Sequence, residues 1–254
     1  MAEAHNHHFV PQAYLRAFAE GTGRQARIWT FDRVDGKAFP TLVRNVASQR
    51  AFNRVEADGV DPNALEQAFG QFEGSAAAAL QRIQVAGSFA VEEDRLFVLT
   101  LIATLSVGLE RNAFESTLRT LAARKWTLIV AGDKAGNFVT SDHPVSLIDI
   151  SERPSSTYGV GFGMTETAVL FPVSKRLLLS GRFEGNEAVR TIGPVDVARV
   201  NAQIIQRADR QVFAYDASFT YLTRNGLMKG SQLVSDPFFQ PRRAEPGNNG
   251  PDSR

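Results

Sequence analysis

Three of the four histidines lie within the first eight residues, in a segment that leads directly to a proline. The segment reads His5-Asn6-His7-His8-Phe9-Val10-Pro11, and a proline is suited to the first turn of a helix. Histidine is the side chain most readily used as a metal ligand or a proton carrier near neutral pH. Because the positive end of a helix dipole disfavours an imidazolium, we expect His8 to be a neutral ligand or base. The alternative, in which His8 only caps or packs against the helix start, stays open.

A second polar cluster, Thr140-Ser141-Asp142-His143-Pro144, ends a predicted strand. Polar side chains at the end of a strand are held by a rigid element and directed into the loops that form a cleft. We interpret Asp142 as a metal ligand or as the group that orients a histidine. The alternative is an Asx-turn, in which the Asp142 carboxylate accepts hydrogen bonds from backbone N–H groups ahead of Pro144.

Two further charged residues sit beside apolar helical segments. Glu73 precedes the small-residue run 74–79, which permits a close helix approach that would bury the carboxylate and require a partner for it. Arg111 follows the apolar run Leu96 to Leu109, and an arginine in that position can pair with a carboxylate or bind a phosphate. The alternatives are a carboxylate at the edge of the buried face and an exposed helix end.

Together these residues suggest a first hypothesis, a metal-assisted hydrolase acting on substrates such as phosphodiesters. An imidazole and two carboxylates suit a hard or borderline divalent cation, which lowers the pKa of a bound water, while an arginine stabilises developing negative charge. The predicted catalytic residues are His8, Glu73, Asp142 and Arg111. Of these, the predicted ligands of the divalent metal are His8, Glu73 and Asp142. The residues assigned to substrate contact are Gln12, Tyr14 and Ser141.

The same residues fit a second hypothesis, a binding, immunity or regulatory protein without chemistry. In that case His8, Glu73, Arg111 and Asp142 form a buried polar network that fixes how the helices dock on the strands. A third hypothesis, nucleic-acid binding without catalysis, rests only on basic residues such as Arg119, Arg124 and Lys125. The formal net charge of +1 lends it no support.

The elements that must position these residues divide into an early helical half and a late strand half. Pro11 and Gly21 frame a short helix with Tyr14, Leu15 and Phe18 on its apolar face. Two long helices, from Asp61-Pro62 to Gly87 and from Glu92 to about Ala123, are expected to pack as an antiparallel hairpin. A third begins at Pro194. The predicted strands are 26–31, 39–43, 126–130, 137–140, 168–173, 176–180 and 188–192. Strands 126–130 and 137–140 flank Gly132 to Gly136 in a pattern typical of two paired strands and a turn, and Ser151 to Met164 is a predicted loop. We therefore predict an α+β fold, with a central antiparallel helical hairpin on a mostly antiparallel sheet.

The composition of the chain limits which classes of protein and of site are possible. The chain has 254 residues, of which 43% are hydrophobic and 22% charged, enough for one sizeable core. With no cysteine, a disulfide, a thiolate metal site and a cysteine nucleophile are excluded. We see neither a signal peptide nor a membrane span, and we expect a cytoplasmic protein of bacterial type. Residues 1–240 are predicted to form a single domain and residues 241–254 a disordered tail.

Several segments resemble one family. The opening His8-Phe9-Val10-Pro11-Gln12-Ala13-Tyr14-Leu15-Arg16-Ala17-Phe18 is similar to the His-x-x-Pro-x-x-Tyr-Leu-x-x-Phe start of the DUF4238 family. The similarity continues through Ile28 to Asp32, Leu65-Glu66, Glu73, Arg111, Phe138 to Val145, Phe171-Pro172-Val173-Ser174 and Asn201, and ends near Tyr215. Two departures are Phe52-Asn53, where the family often has a tyrosine, and Asn112-Ala113, where it often has a proline. The resemblance implies that His8, Glu73, Arg111 and Asp142 surround one site, but it supplies no reaction.

Overall fold

The computed structural model describes residues 6–8, 10–50, 64–89, 91–107, 111–151 and 160–240. Within these ranges, the side chains of 6–8, 48–50, 64–73 and 111 lie outside the description. The predicted helix start at Asp61-Pro62, part of the predicted loop 151–164, and the predicted tail 241–254 also fall outside the described residues. The assignment of residues 1–240 to a single domain stays a prediction.

The described helices follow the predicted order along the chain. They are α1 (Gln12–Leu15), α2 (Ala64–Ala86), α3 (Glu92–Val107), α4 (Arg111–Ala122) and α5 (Pro194–Arg207). The predicted helix from Glu92 to about Ala123 is therefore represented by two helices, with residues 108–110 between them not described. The helix after Pro11 is shorter than expected, because its α-helical turn passes into a 3-10 turn at Arg16–Phe18.

Thirteen strands are present in the described part of the chain. They are β1 (Asn6–His8), β2 (Arg27–Asp32), β3 (Lys37–Leu42), β4 (Ser48–Arg50), β5 (Lys125–Ala131), β6 (Thr140–Ser141), β7 (Ser146–Asp149), β8 (Thr167–Ser174), β9 (Leu177–Arg182), β10 (Ala188–Ile192), β11 (Gln211–Ala214), β12 (Thr220–Thr223) and β13 (Gly226–Lys229).

Two larger sheets carry the fold. One has five strands in the order β10-β5-β9-β8-β7, and the other has four in the order β3-β2-β11-β6. Every pairing within them is antiparallel except that of β10 with β5. The short strands β1 and β4 form a separate pair, as do β12 and β13. The predicted α+β class with a mostly antiparallel sheet is confirmed.

The burial of strand β8 shows that helices pack on both faces of the five-stranded sheet. All of its residues are buried, and successive side chains point to opposite faces. Val169 and Phe171 join the core that also contains residues of α2 and α3, whereas Leu170 packs in a core with Val197 of α5. A strand covered on both faces therefore appears in the sequence as an uninterrupted apolar run.

Helices α2 and α3 contact each other near the turn that joins them. Gly87 has a positive φ of 63° and ends α2, with its N–H donating to the Ile83 carbonyl. Arg82 of α2 donates from Nε to the Asp94 carboxylate of α3 at 3.0 Å, and this bond holds the pKa of Asp94 below its ordinary value. No helix in the described ranges is long and apolar enough to cross a membrane.

The predicted pairing of strand 126–130 with strand 137–140 is wrong. Strand β5 pairs with β9 and β10, whereas β6 pairs with β11 of the other sheet. The reason lies in the backbone partners of the intervening segment. The Phe138 N–H donates to the Lys175 carbonyl, and the Val139 N–H donates to the Asn201 side chain. These partners lead the chain away from β5 and into the second sheet.

Candidate functional site

The Tyr14 hydroxyl joins three segments that the sequence singles out. It donates to the Pro172 carbonyl at 2.8 Å and lies 2.8 Å from Thr140 Oγ1. Because a phenol has a single proton, the Thr140 hydroxyl must be the donor in the second bond. Tyr14 is 2% exposed and Thr140 is 0% exposed. The opening segment, the Thr140-to-Pro144 segment and the Phe171-to-Ser174 segment therefore meet at one buried hydroxyl.

Ring packing places the Tyr14 hydroxyl at this junction. The Tyr14 ring stacks on Phe171 with centroids 5.2 Å apart and lies against Phe18 at 5.3 Å. The predicted apolar face of Tyr14, Leu15 and Phe18 is buried, as expected from the helical spacing. Burial raises the pKa of the Tyr14 phenol well above its ordinary value, so the hydroxyl stays protonated at neutral pH. Its predicted contact with a substrate stays a prediction, since both described bonds of the hydroxyl are internal.

Asp142 binds a neighbouring turn. Its carboxylate accepts hydrogen bonds from the backbone N–H groups of Asp209 at 2.9 Å and of Arg210 and Gln211 at 2.7 Å. Burial raises the pKa of the Asp142 carboxyl, while the three N–H groups act in the opposite direction. As in the Asx-turn alternative, the Asp142 carboxylate accepts bonds from backbone N–H groups. These groups belong to the turn between α5 and β11, however, and not to the residues before Pro144. This geometry indicates that Asp142 positions the turn between α5 and β11.

The other two residues assigned to substrate contact also make local bonds. The Ser141 hydroxyl donates to the His143 carbonyl at 2.8 Å and accepts from the His143 N–H at 3.1 Å. Ser141 is 0% exposed. Gln12 Oε1 accepts a bond from the Arg16 guanidinium at 3.3 Å, one helical turn away. Direct substrate contact by Ser141 and Gln12 stays a prediction.

Asn201 of α5 holds the strand segment that leads to Thr140. Its Oδ1 accepts from the Val139 N–H at 3.0 Å, and its Nδ2 donates to the Asn137 and Thr220 carbonyls, both at 2.9 Å. Asn201 is 0% exposed and Val139 is buried, whereas Asn137 and Thr220 are half-buried. A single buried amide thus fixes the approach to β6, which is a physical reason for its place in the resemblance.

The remaining predicted site residues are placed only through their backbones. His8 ends β1, opposite Ser48 of β4. Glu73 lies in α2, and Arg111 is the first residue of α4. Because these three side chains lie outside the description, their convergence with Asp142 stays a prediction. Among the side chains that are described, no group of three or more His, Asp or Glu residues is arranged to hold a metal ion.

Arg124, which the nucleic-acid hypothesis invokes, is buried. It is 0% exposed, its Nη1 donates to the Thr167 and Gly181 carbonyls, and its guanidinium lies 4.2 Å from the centre of the Phe183 ring. Burial lowers its pKa to about 10. Arg124 is therefore a structural cation that ties the Phe162-to-Thr167 segment to the sheet, and its predicted availability to nucleic acid is wrong. The sequence signal, a basic pair after a helix, did not distinguish the buried Arg124 from the exposed Lys125.

Asp32 pairs with Arg210, a contact that the sequence did not predict. Arg210 Nε donates to Asp32 Oδ2 at 2.7 Å, and Gln211 Nε2 donates to the same oxygen at 2.8 Å. Asp32 is 1% exposed. Burial alone would raise its pKa, but the bonds from Asp35 N–H, Gln211 and Arg210 outweigh burial and hold the pKa below its ordinary value. No local pattern signals a pair separated by 178 residues.

These contacts define an α+β protein in which a short N-terminal helix is bonded through a buried tyrosine to both larger sheets. The sequence model of the family described as "Protein of unknown function (DUF4238)" matches residues 6–107 and 102–218. The chain belongs to this family, which confirms the resemblance that runs from His8 to about Tyr215. No curated protein matches the chain, and no solved structure matches it.

Proposed function

We propose that this protein is a metal-assisted hydrolase of phosphodiester-type substrates. In this proposal His8 and Glu73 would hold a divalent cation, whose chemistry when bound would be to lower the pKa of a water molecule. Arg111 stabilises the negative charge that develops on the phosphoryl oxygens. The proposal combines a neutral imidazole, a carboxylate and a guanidinium, a set of side chains typical of such sites.

The bond between Tyr14 and Thr140 is the observation that carries the proposal. Tyr14 lies six residues after His8, and Thr140 lies two residues before Asp142, so the bond brings the two polar segments of the chain side by side. Helix α1, which contains Tyr14, also contacts α2, which contains Glu73. The proposal requires His8, Glu73 and Asp142 to be neighbours, and these contacts support that requirement.

Asp142 has a narrower role in this proposal than the sequence suggests. A carboxylate has about four acceptor positions, and three are taken by the amides of residues 209–211. One position remains for a metal or for a histidine N–H. We therefore assign Asp142 mainly to positioning, through the turn that it holds, and assign metal binding mainly to His8 and Glu73.

A non-catalytic binding or regulatory function is the second candidate, and one observation favours it. Four buried polar side chains of the shared segments, those of Tyr14, Thr140, Ser141 and Asn201, make all of their described bonds inside the protein. A network built for stability has this property. In that case His8 would contribute to the free energy of unfolding and to no reaction.

Hydrolysis of bis(p-nitrophenyl) phosphate, measured with Mg²⁺ and with Mn²⁺, tests the two candidates. The matched variants are His8→Ala and His5→Ala, because both remove an imidazole from the same segment. We expect His8→Ala to lower the rate by about 100-fold or more, as loss of a metal ligand or base does. His5→Ala should retain the rate. Absence of any metal-dependent hydrolysis by the wild type, or equal rates in both variants, would overturn the proposal.

The free energy of unfolding separates the candidates further. If His8 belongs to a structural network, His8→Ala lowers this energy by about 1–3 kcal/mol, because a buried partner is left without a hydrogen bond. An unchanged free energy of unfolding combined with a lost rate favours the enzyme. A lowered free energy of unfolding in a protein without hydrolase activity favours the binding protein.

A further inference from the structure

A polar cleft lies beside Asp142, at the C-terminal end of α5. Its volume is about 710 Å³, within the range of small-molecule sites. Its walls come from the turn at residues 33–34, from residue 143, and from the end of α5 with the two residues that follow it, 206–209. We call it the arginine–histidine cleft, and it is lined by Arg33, Val34, His143, Gln206, Arg207, Ala208 and Asp209.

The walls of the arginine–histidine cleft are braced against one another. Asp32 Oδ1 accepts bonds from the Val34 and Asp35 N–H groups at 3.0 Å and so shapes the first turn. Arg210 then connects that turn to the 206–209 wall, because its Nε bonds to Asp32 and its carbonyl accepts the Arg33 N–H. Asp142 holds the same wall through the Asp209 N–H. Because these bonds hold the walls in place, the cleft is preorganised, and little of the binding free energy is lost in ordering it.

Arg33 belongs to the lining of the cleft, and its guanidinium is held inside the protein. It is 7% exposed, its Nη2 donates to the Ile205 carbonyl at 3.1 Å, and its guanidinium lies 4.6 Å from the centre of the Phe239 ring. A guanidinium held by a carbonyl and an aromatic ring keeps its direction without ligand. Its positive charge therefore lies at a fixed place inside the protein, next to the cleft, rather than on a mobile side chain.

We propose that the arginine–histidine cleft binds a small phosphorylated molecule, a sugar phosphate or nucleoside monophosphate in size. The Arg207 guanidinium and the His143 imidazole line the cleft and are donors suited to a phosphoryl group, and the buried Arg33 adds positive charge beside them. The Gln206 amide and the Asp209 carboxylate supply hydrogen bonds for the hydroxyl groups that such a molecule carries. The residues that line this cleft have no role in the hydrolase proposal. The binding proposal can therefore be tested independently of hydrolysis.

Isothermal titration with ribose 5-phosphate, inorganic phosphate and succinate at fixed ionic strength tests this binding site. We expect saturable binding of ribose 5-phosphate, weaker binding of inorganic phosphate because it lacks the hydroxyl groups, and no saturable binding of succinate. Saturable binding of succinate at least as tight as that of ribose 5-phosphate would overturn the phosphoryl assignment. Absence of saturable binding of any of the three would overturn the site itself.

Two arginines on α5 provide the matched variants. Arg207→Gln removes a cleft guanidinium, whereas Arg199→Gln removes an exposed one that pairs with Asp196 one turn away. Both change the net charge equally. We expect Arg207→Gln to raise the Kd for ribose 5-phosphate by about tenfold or more and Arg199→Gln to leave it within about twofold. Equal effects of the two variants would reduce the binding to general charge attraction and overturn the proposal.

His143 provides a readout that does not depend on the folding of an arginine variant. The imidazole resonances of His143, assigned in the wild type by comparison with His143→Gln, should shift saturably on addition of ribose 5-phosphate. The resonances of the other histidines should stay in place. Unshifted His143 resonances at a saturating concentration would contradict the location of the site.

Discussion

Tyr14→Phe removes only the hydroxyl that joins the three shared segments. The Phe ring retains the stacking on Phe171, so the lost interactions are the bonds to Thr140 Oγ1 and to the Pro172 carbonyl. Both partners are buried, and each buried group left without a hydrogen bond costs about 1–3 kcal/mol. With two such groups, we expect the free energy of unfolding to fall by about 2–6 kcal/mol.

Urea unfolding followed by tryptophan fluorescence measures this change. The control is Tyr215→Phe, because Tyr215 is only half-buried and its ring, which Lys175 contacts at 3.3 Å, is retained. We expect the control to lie within about 0.5 kcal/mol of the wild type. A value for Tyr14→Phe within that same margin would refute the reasoning that the hydroxyl joins the segments.

A double-mutant cycle with Thr140→Val isolates the bond itself. In Tyr14→Phe the Thr140 hydroxyl is left buried without its acceptor, and Thr140→Val then removes that orphaned group. The double variant should be more stable than the sum of the two single changes implies, by about 1 kcal/mol. Additive effects would show that the two hydroxyls do not stabilise each other and would contradict the contact.

Three further predictions address the surrounding structure. The pKa of Asp32 is lowered on folding, so its stabilising effect is present above its ordinary value of 3.8 and is lost as pH falls through its lower folded value; Asp32→Asn should flatten that acid loss in urea midpoints below about pH 4. Gly181→Ala places a Cβ 2.8 Å from the Trp126 ring and should cost about 1–3 kcal/mol in urea unfolding, whereas Gly163→Ala, with nothing within 4 Å, should stay within about 0.5 kcal/mol. Asn201→Leu removes one buried and two half-buried hydrogen bonds to the backbone and should lower Tm by about 6 °C or more in calorimetry; a smaller shift would contradict its anchoring role.

Helices and apolar strands were predictable because their signals are local. The acidic start of α3, the proline that opens α5 and the apolar spacing of Tyr14 and Phe18 depend on residues a few positions apart. Such periodicity survives in any fold that buries one face of an element. The same holds for β8, whose continuous apolar run reflects burial on both faces.

Long-range pairing was not predictable from these signals. The Gly132-to-Gly136 turn signal suggested a local hairpin, yet the backbone of 137–139 is bonded to Lys175 and Asn201. Nothing near Phe138 in the sequence identifies those partners. The two carboxylates Asp32 and Asp142 likewise find their partners near residue 210, and only tertiary structure brings them together.

In the candidate site too, some features were predictable from the sequence and others were not. The segments that carry polar residues could be identified from residue types, and Tyr14 and Thr140 do meet. The roles of single residues could not be identified in this way, because an aspartate that binds a metal and an aspartate that accepts bonds from three amides look alike in sequence. The arginine–histidine cleft was missed because its walls come from three distant parts of the chain.

Equilibrium binding of Mn²⁺ to the wild type, His8→Ala and His5→Ala tests the central claim most directly. The hydrolase proposal predicts that the wild type and His5→Ala bind one equivalent with the same Kd. It also predicts that His8→Ala loses this binding while keeping the wild-type melting temperature. Saturable Mn²⁺ binding that His8→Ala leaves unchanged, or no saturable binding by the wild type, would contradict the proposal that the His8 segment forms a metal site.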